Sequence, residues 1–142
     1  MLPSRRVMQS VRNTKTMINL KFKKSYVSIS GDYYQISFDD EPNEPDDPTN
    51  VDEVIDSLGP YFLVQFNYEF AGKECYIESD DENLIGHYIV NSVVIGHRTF
   101  TIKFGTNDRY VVNIKFGATD EEQADLINAS KDMFLNVLQV NS

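Results

Sequence analysis

The chain has 142 residues, of which 41% are hydrophobic and 25% charged, and it carries a net charge of −9. That is enough for one domain with a core, and it excludes wholesale disorder, a collagen-like chain and a disulfide-stapled miniprotein. No apolar run approaches the ~20 residues a helix needs to span a bilayer, and the single cysteine, Cys75, excludes an intrachain disulfide.

The first 24 residues hold seven bases (Arg5, Arg6, Arg12, Lys15, Lys21, Lys23, Lys24) and no acid. No apolar segment of the secretory kind follows Arg5 and Arg6. Residues 1–16 read as a flexible basic arm and residues 17–142 as a single domain. Two other readings stay open: an acid-poor transit peptide, which lacks a clear amphipathic stripe, and a folded chain beginning at Met17. Without those seven bases, residues 25–142 carry six bases against 22 acids, a net of −16. So acidic a body repels nucleic-acid phosphates and anionic membranes and attracts a basic partner. The plainer reading is acidity that keeps the chain soluble.

Apolar alternation predicts strands over 18–23 (Ile18, Leu20, Phe22), 26–30 (Val27, Ile29) and, after a Gly31-Asp32 turn, 32–38 (Tyr34, Ile36, Phe38). Asp39 to Thr49 is rich in acids, contains three prolines and has no base. Prolines cannot donate to a ladder and like charges repel, so this segment reads as an exposed acidic loop. Asn50 is placed to cap a short helix over 51–58, ended by Gly59-Pro60. Tyr61 to Phe70 is the strongest strand, with Phe62, Val64, Phe66, Tyr68 and Phe70 on one face. Glu74 to Glu78 returns with Cys75 and Ile77 inward, and Tyr88 to Ile95 follows. Gly96-His97 then fits a two-residue hairpin loop, with the glycine supplying a positive φ. Thr99 to Phe104 and Tyr110 to Phe116 complete the strands.

Thr119 and Glu122 have capping-box spacing at the start of a helix from Asp120 to about Leu138. Its apolar stripe reads as Ala124, Ile127, Phe134, Leu135 and Leu138, interrupted by Lys131. Strands first and a helix last predict an α+β fold: an antiparallel β-sheet of about six or seven strands, curved or sandwiched, with a C-terminal helix packed on one face.

The residues that usually carry catalysis are badly placed for it. His87 and His97 fall at opposite ends of one strand, too far apart for a joint metal or acid–base site. Cys75 lies on an inward phase, where an inert buried thiol is the usual outcome. The acidic runs lack the ligand alternation of a calcium loop, and no phosphate-binding glycine loop or metal-spaced His/Cys cluster occurs. Aromatics do not interleave with bases as on an RNA-stacking sheet. These observations predict a protein that is not an enzyme, with no cofactor or metal. What remains is an outward row, Glu74, Tyr76 and Glu78, followed by Asp80, Asp81 and Glu82. An exposed tyrosine among carboxylates can anchor a cationic partner surface; an ordinary solvent face is the plainer alternative.

From Pro60 to Tyr88 the chain resembles the immunity protein 10 family of bacterial polymorphic toxin systems. The likeness lies in an apolar strand ending Tyr68-Glu69-Phe70, a glycine turn, Cys75-Tyr76-Ile77-Glu78, an acidic connection and Gly86-His87-Tyr88. The resemblance implies a small, cytoplasmic, non-enzymatic α/β protein that binds and blocks a cognate toxin domain; a monomer or homodimer is expected. Combined with the acidity, it predicts a toxin inhibitor whose acidic surface covers a basic cleft, with no nucleic-acid or membrane partner. The alternative is a structural or assembly protein, of phage or of a secretion apparatus, that self-associates.

Overall fold

The computed structural model describes residues 15–41, 49, 59–67, 69 and 74–141. The expected helix over 51–58, its Asn50 cap, the acidic run 42–48, and Tyr68 and Phe70 lie outside the described residues. The strands are β1 (Thr16–Phe22), β2 (Lys24–Ser30), β3 (Tyr33–Asp39), β4 (Tyr61–Asn67), β5 (Glu74–Ser79), β6 (Gly86–Gly96), β7 (Thr99–Phe104), β8 (Tyr110–Phe116) and β9 (Leu138–Val140). One α-helix, α1 (Asp120–Met133), precedes β9. The α+β class follows. The strand count among the described residues is nine, above the expected six or seven: a strand forms at each segment where alternation predicts one, and the chain after α1 adds β9.

Strand order is β1-β8-β7-β6-β5-β4-β3-β2, with β9 also on β6. All pairings are antiparallel except β1·β8 and β6·β9, which are parallel. Eight strands side by side span roughly 35 Å if flat. Yet β1 and β2, at the two ends of the path, are joined by Lys23 alone. The sheet must therefore curl round until its margins meet. At the bend the Gly117 N–H donates to the Phe22 carbonyl (3.1 Å) and the Lys23 N–H donates to the Asp39 carbonyl (3.1 Å). The bend thus hangs on β8 from one side and on β3 from the other. A Cβ on Gly117 would overlap the Lys23 carbonyl oxygen, so this close approach requires glycine.

The inward residues of the alternating strands meet inside the curl. Ile36, Phe38, Phe62, Val64, Ile77, Phe100, Ile102 and Phe104 are fully buried, each worth roughly 1.5–3 kcal/mol in apolar area removed from water. At the bend, Phe22, Phe38, Phe100 and Phe116 pack their rings together.

Two local expectations are corrected. The β6–β7 hairpin loop is His97-Arg98, since Gly96 is already paired with Thr99. The positive φ falls on Arg98 (57°). α1 holds that conformation: the Arg98 N–H and Nη1 donate to Gln123 Oε1 (3.3 and 3.1 Å), and Nη2 donates to Asp120 Oδ1 (2.9 Å). The helix itself stops at Met133, not near Leu138. β6 is eleven residues long, but β5 pairs only with its first residues, Gly86 to Ile89. The backbone groups beyond need partners, and β9 supplies them through Val93, Val94 and Ile95.

The capping box forms as expected. The Glu122 N–H donates to Thr119 Oγ1 (3.1 Å), and the Thr119 N–H donates to Glu122 Oε1 (2.8 Å). The Thr119 N–H, and then Lys24 at 3.3 Å, hold the Glu122 carboxyl below its ordinary range. The buried stripe is Leu126, Ala129, Ser130 and Met133. Ala124 and Leu135 of the expected stripe are exposed; small Ala129 and Ser130 face the sheet instead.

β1 begins at Thr16, whose N–H donates to the Arg109 carbonyl (2.7 Å), so the last residue of the expected 1–16 arm belongs to the sheet. A chain beginning at Lys15 is expected to unfold within about 0.5 kcal/mol of the full chain. Thermal melting of the two proteins checks this; a large drop in Tm would show that the removed segment packs on the body.

Candidate functional site

β5 alternates cleanly. Cys75 and Ile77 are buried, while Glu74, Tyr76 and Glu78 are half-buried on the outer face. Register places Tyr76 between Gln65 of β4 and His87 of β6, and Glu74 beside Ile89. The Tyr76 and His87 rings lie 5.2 Å apart, and Ile89 is 49% exposed. An aromatic, an apolar side chain and carboxylates thus share one outer patch.

The carboxylates differ in what they can offer a partner. Tyr76 donates its hydroxyl to Glu78 Oε1 (2.6 Å) and Tyr61 donates to Oε2 (2.8 Å). Glu78 therefore fixes two phenols in place. The hydrogen bond to Glu78 is the main cause raising the Tyr76 hydroxyl above its ordinary value. Burial first, then the bond to Glu78, pushes Tyr61 up from 10.0 to about 12. Its folded pKa is raised, so the stabilisation is full below the unfolded value of 10.0 and is lost as pH rises to about 12. Both phenols remain donors at neutral pH.

Asp80 and Asp81 hold the turn after β5. Asp80 Oδ1 accepts the Tyr61 N–H (3.3 Å). Asp81 Oδ1 accepts the Asn83 N–H (3.0 Å) and caps the short 3₁₀ turn Glu82–Leu84. Asp80, Asp81 and Glu82 are all exposed at this end of the patch. The structure thus gathers Glu74, Tyr76 and Glu78 on one face, and places Asp80, Asp81 and Glu82 at its margin.

Sequence reading missed Tyr61, His87 and Ile89, because the signal that adds them is cross-strand register, which no single strand reveals. It also missed a groove of about 550 Å³ beside Glu74, lined by Tyr88, Ile89, Arg109 and Tyr110 among others. Arg109 stands over the Tyr110 ring, 5.4 Å from its centroid. The loop closing the groove holds Asn107 and Asp108 at φ 57° and 55°, uncommon for non-glycine residues. Asn91 pins it, donating to the Gly105 carbonyl (2.8 Å) and Asp108 Oδ1 (2.9 Å).

Other chemistry-bearing residues are apart. His87 and His97 fall near opposite ends of β6, roughly 30 Å apart along a strand of that length. Cys75 is buried, and burial pushes its thiol up to about 12. Among the described residues no three His, Cys, Asp or Glu side chains are grouped to hold a metal ion, and no helix is long and apolar enough to cross a membrane. The chain matches no protein-family model and no curated protein sequence.

Proposed function

We propose that the chain is a bacterial immunity protein that acts in the cytoplasm by stoichiometric binding, without catalysis. The outer face of β5, with Glu74, Tyr76 and Glu78 at its centre and Asp80, Asp81 and Glu82 at its margin, covers a basic cleft on a cognate toxin domain and excludes the toxin's substrate. The observation that carries this reading is the Tyr76–Glu78–Tyr61 arrangement, in which one carboxylate fixes two phenols on an outer sheet face. Interface hot spots are enriched in tyrosine, and ordering such anchors before contact lowers the cost of binding.

Charge attraction sets the kinetics. The test is surface binding and activity inhibition with the C-terminal domain of the product of the adjacent upstream gene. A 1:1 complex is expected, with association slowing roughly tenfold or more as salt rises from about 0.05 to about 0.5 M. Absence of binding, or an association rate indifferent to salt, would overturn the reading.

A further inference from the structure

The curl of the sheet separates the charges of this acidic chain. β1, β6, β7, β8 and β9 contain no acidic residue, while Lys21, Lys103 and Lys115 lie on them. Where β1 bends into β2, three segments distant in sequence converge around a cavity of about 770 Å³: 21–23, 97–99 and 115–117. Lys21, Lys23, Arg98 and Lys115 line it, with His97 and a single carboxylate, Asp40. We infer that this cavity is a binding site for a small phosphate-bearing ligand.

Lys21 and Lys115 are register partners on adjacent parallel strands. Like charges directly opposite one another are destabilising, and an anion seated between them turns that repulsion into attraction. Among the described residues neither Lys21, Lys23 nor Lys115 has a salt bridge. Asp40 Oδ1 accepts the Lys23 N–H (3.1 Å), and the three lysines outnumber this one carboxylate. Arg98 is held in position by Gln123 and Asp120, which leaves further guanidinium N–H groups for a ligand.

The number and kind of the cations select the ligand. Three ammonium groups and a fixed guanidinium exceed what a single carboxylate needs, and they suit the multiple charges and oxygens of a phosphoryl or oligophosphoryl group. Phe22 and Phe116, both buried, also border the cavity. This site shares no lining residue with the β5 face, so it stands independently of toxin binding.

The test is calorimetric titration of the full chain with sodium tripolyphosphate and, separately, orthophosphate, at a fixed ionic strength of about 0.1 M. The arms are the native sequence, Lys21→Gln/Lys115→Gln, Lys23→Gln, and Lys131→Gln on exposed α1 surface; thermal melting establishes that each is folded. Tripolyphosphate is expected to bind 1:1 and more tightly than orthophosphate. The double variant should lose roughly tenfold or more in affinity, Lys23→Gln a smaller factor, and Lys131→Gln less than about twofold. No binding of tripolyphosphate, or equal losses in the double variant and Lys131→Gln, would overturn the assignment. So would tighter binding of a short single-stranded oligonucleotide than of tripolyphosphate, which would make this face a nucleic-acid surface.

Discussion

Replacing Phe38 with alanine is expected to destabilise the protein by about 3–5 kcal/mol, the range for emptying a buried phenylalanine site. Phe38 is fully buried on β3. Its ring centroid lies 5.1 Å from Phe116, 5.3 Å from Phe100 and 6.3 Å from Phe22. Those neighbours come from β8, β7 and β1, so this β3 ring spans the seam between the two ends of the curled sheet. The strands around it are tied by ladders and cannot collapse far into the space it leaves, so the cavity persists. Urea unfolding gives the loss directly, and the melting temperature should fall by roughly 10 °C or more. Leu135→Ala is the contrast: Leu135 is 77% exposed, and its loss should stay within about 0.5 kcal/mol. A cost below about 1 kcal/mol for Phe38→Ala would mean that the two margins do not close on this ring.

The strands were legible because one inward face makes apolar residues recur every second position, as in Phe62-Val64 and Phe100-Ile102-Phe104. Pairings between distant segments were not. Asn113 donates to Asn19 across 94 positions, and neither strand's own pattern announces its partner. Helix α1 was legible at its start, where capping chemistry is local, and was misread at its end and on its face. Ala129 and Ser130 give no hydrophobic signal, although their size lets the helix approach the sheet. Leu135 gives a strong signal and faces outward. The end of α1 was decided by a remote demand, the unpaired length of β6.

The candidate face was legible in part, for the same reason as the strands. Period two puts Glu74, Tyr76 and Glu78 on one side of β5 without any tertiary knowledge. That Glu78 is shared by two phenols needed the β4–β5 register. The basic cavity was hidden altogether, because Lys21 and Lys23 read as part of a basic N-terminal segment and nothing in the pattern of 110–116 links Lys115 to them.

Tyr76→Ala carries the second large expectation. The ring is half-buried, lies against His87 and donates to Glu78. Removing it takes away contact area at the centre of the patch and releases one oxygen of Glu78 from its phenol, while Tyr61 still holds the other. Cys75 and Ile77 keep β5 anchored in the core, so the variant should fold. As an anchor residue, Tyr76 should contribute about 2 kcal/mol to toxin binding, a loss of roughly 30-fold in affinity. Tyr76→Phe keeps the ring and should lose much less, which separates contact area from the hydroxyl.

Titration of the toxin domain with the native, Tyr76→Ala and Tyr76→Phe proteins, each checked by thermal melting, tests the assignment of the β5 face most directly. The expected order of affinity is native, then Tyr76→Phe, then Tyr76→Ala, with the last weaker by roughly 30-fold and all three melting cooperatively. Native-like affinity in a folded Tyr76→Ala protein would contradict the assignment and move the contact surface elsewhere, first to the acidic segment 39–56.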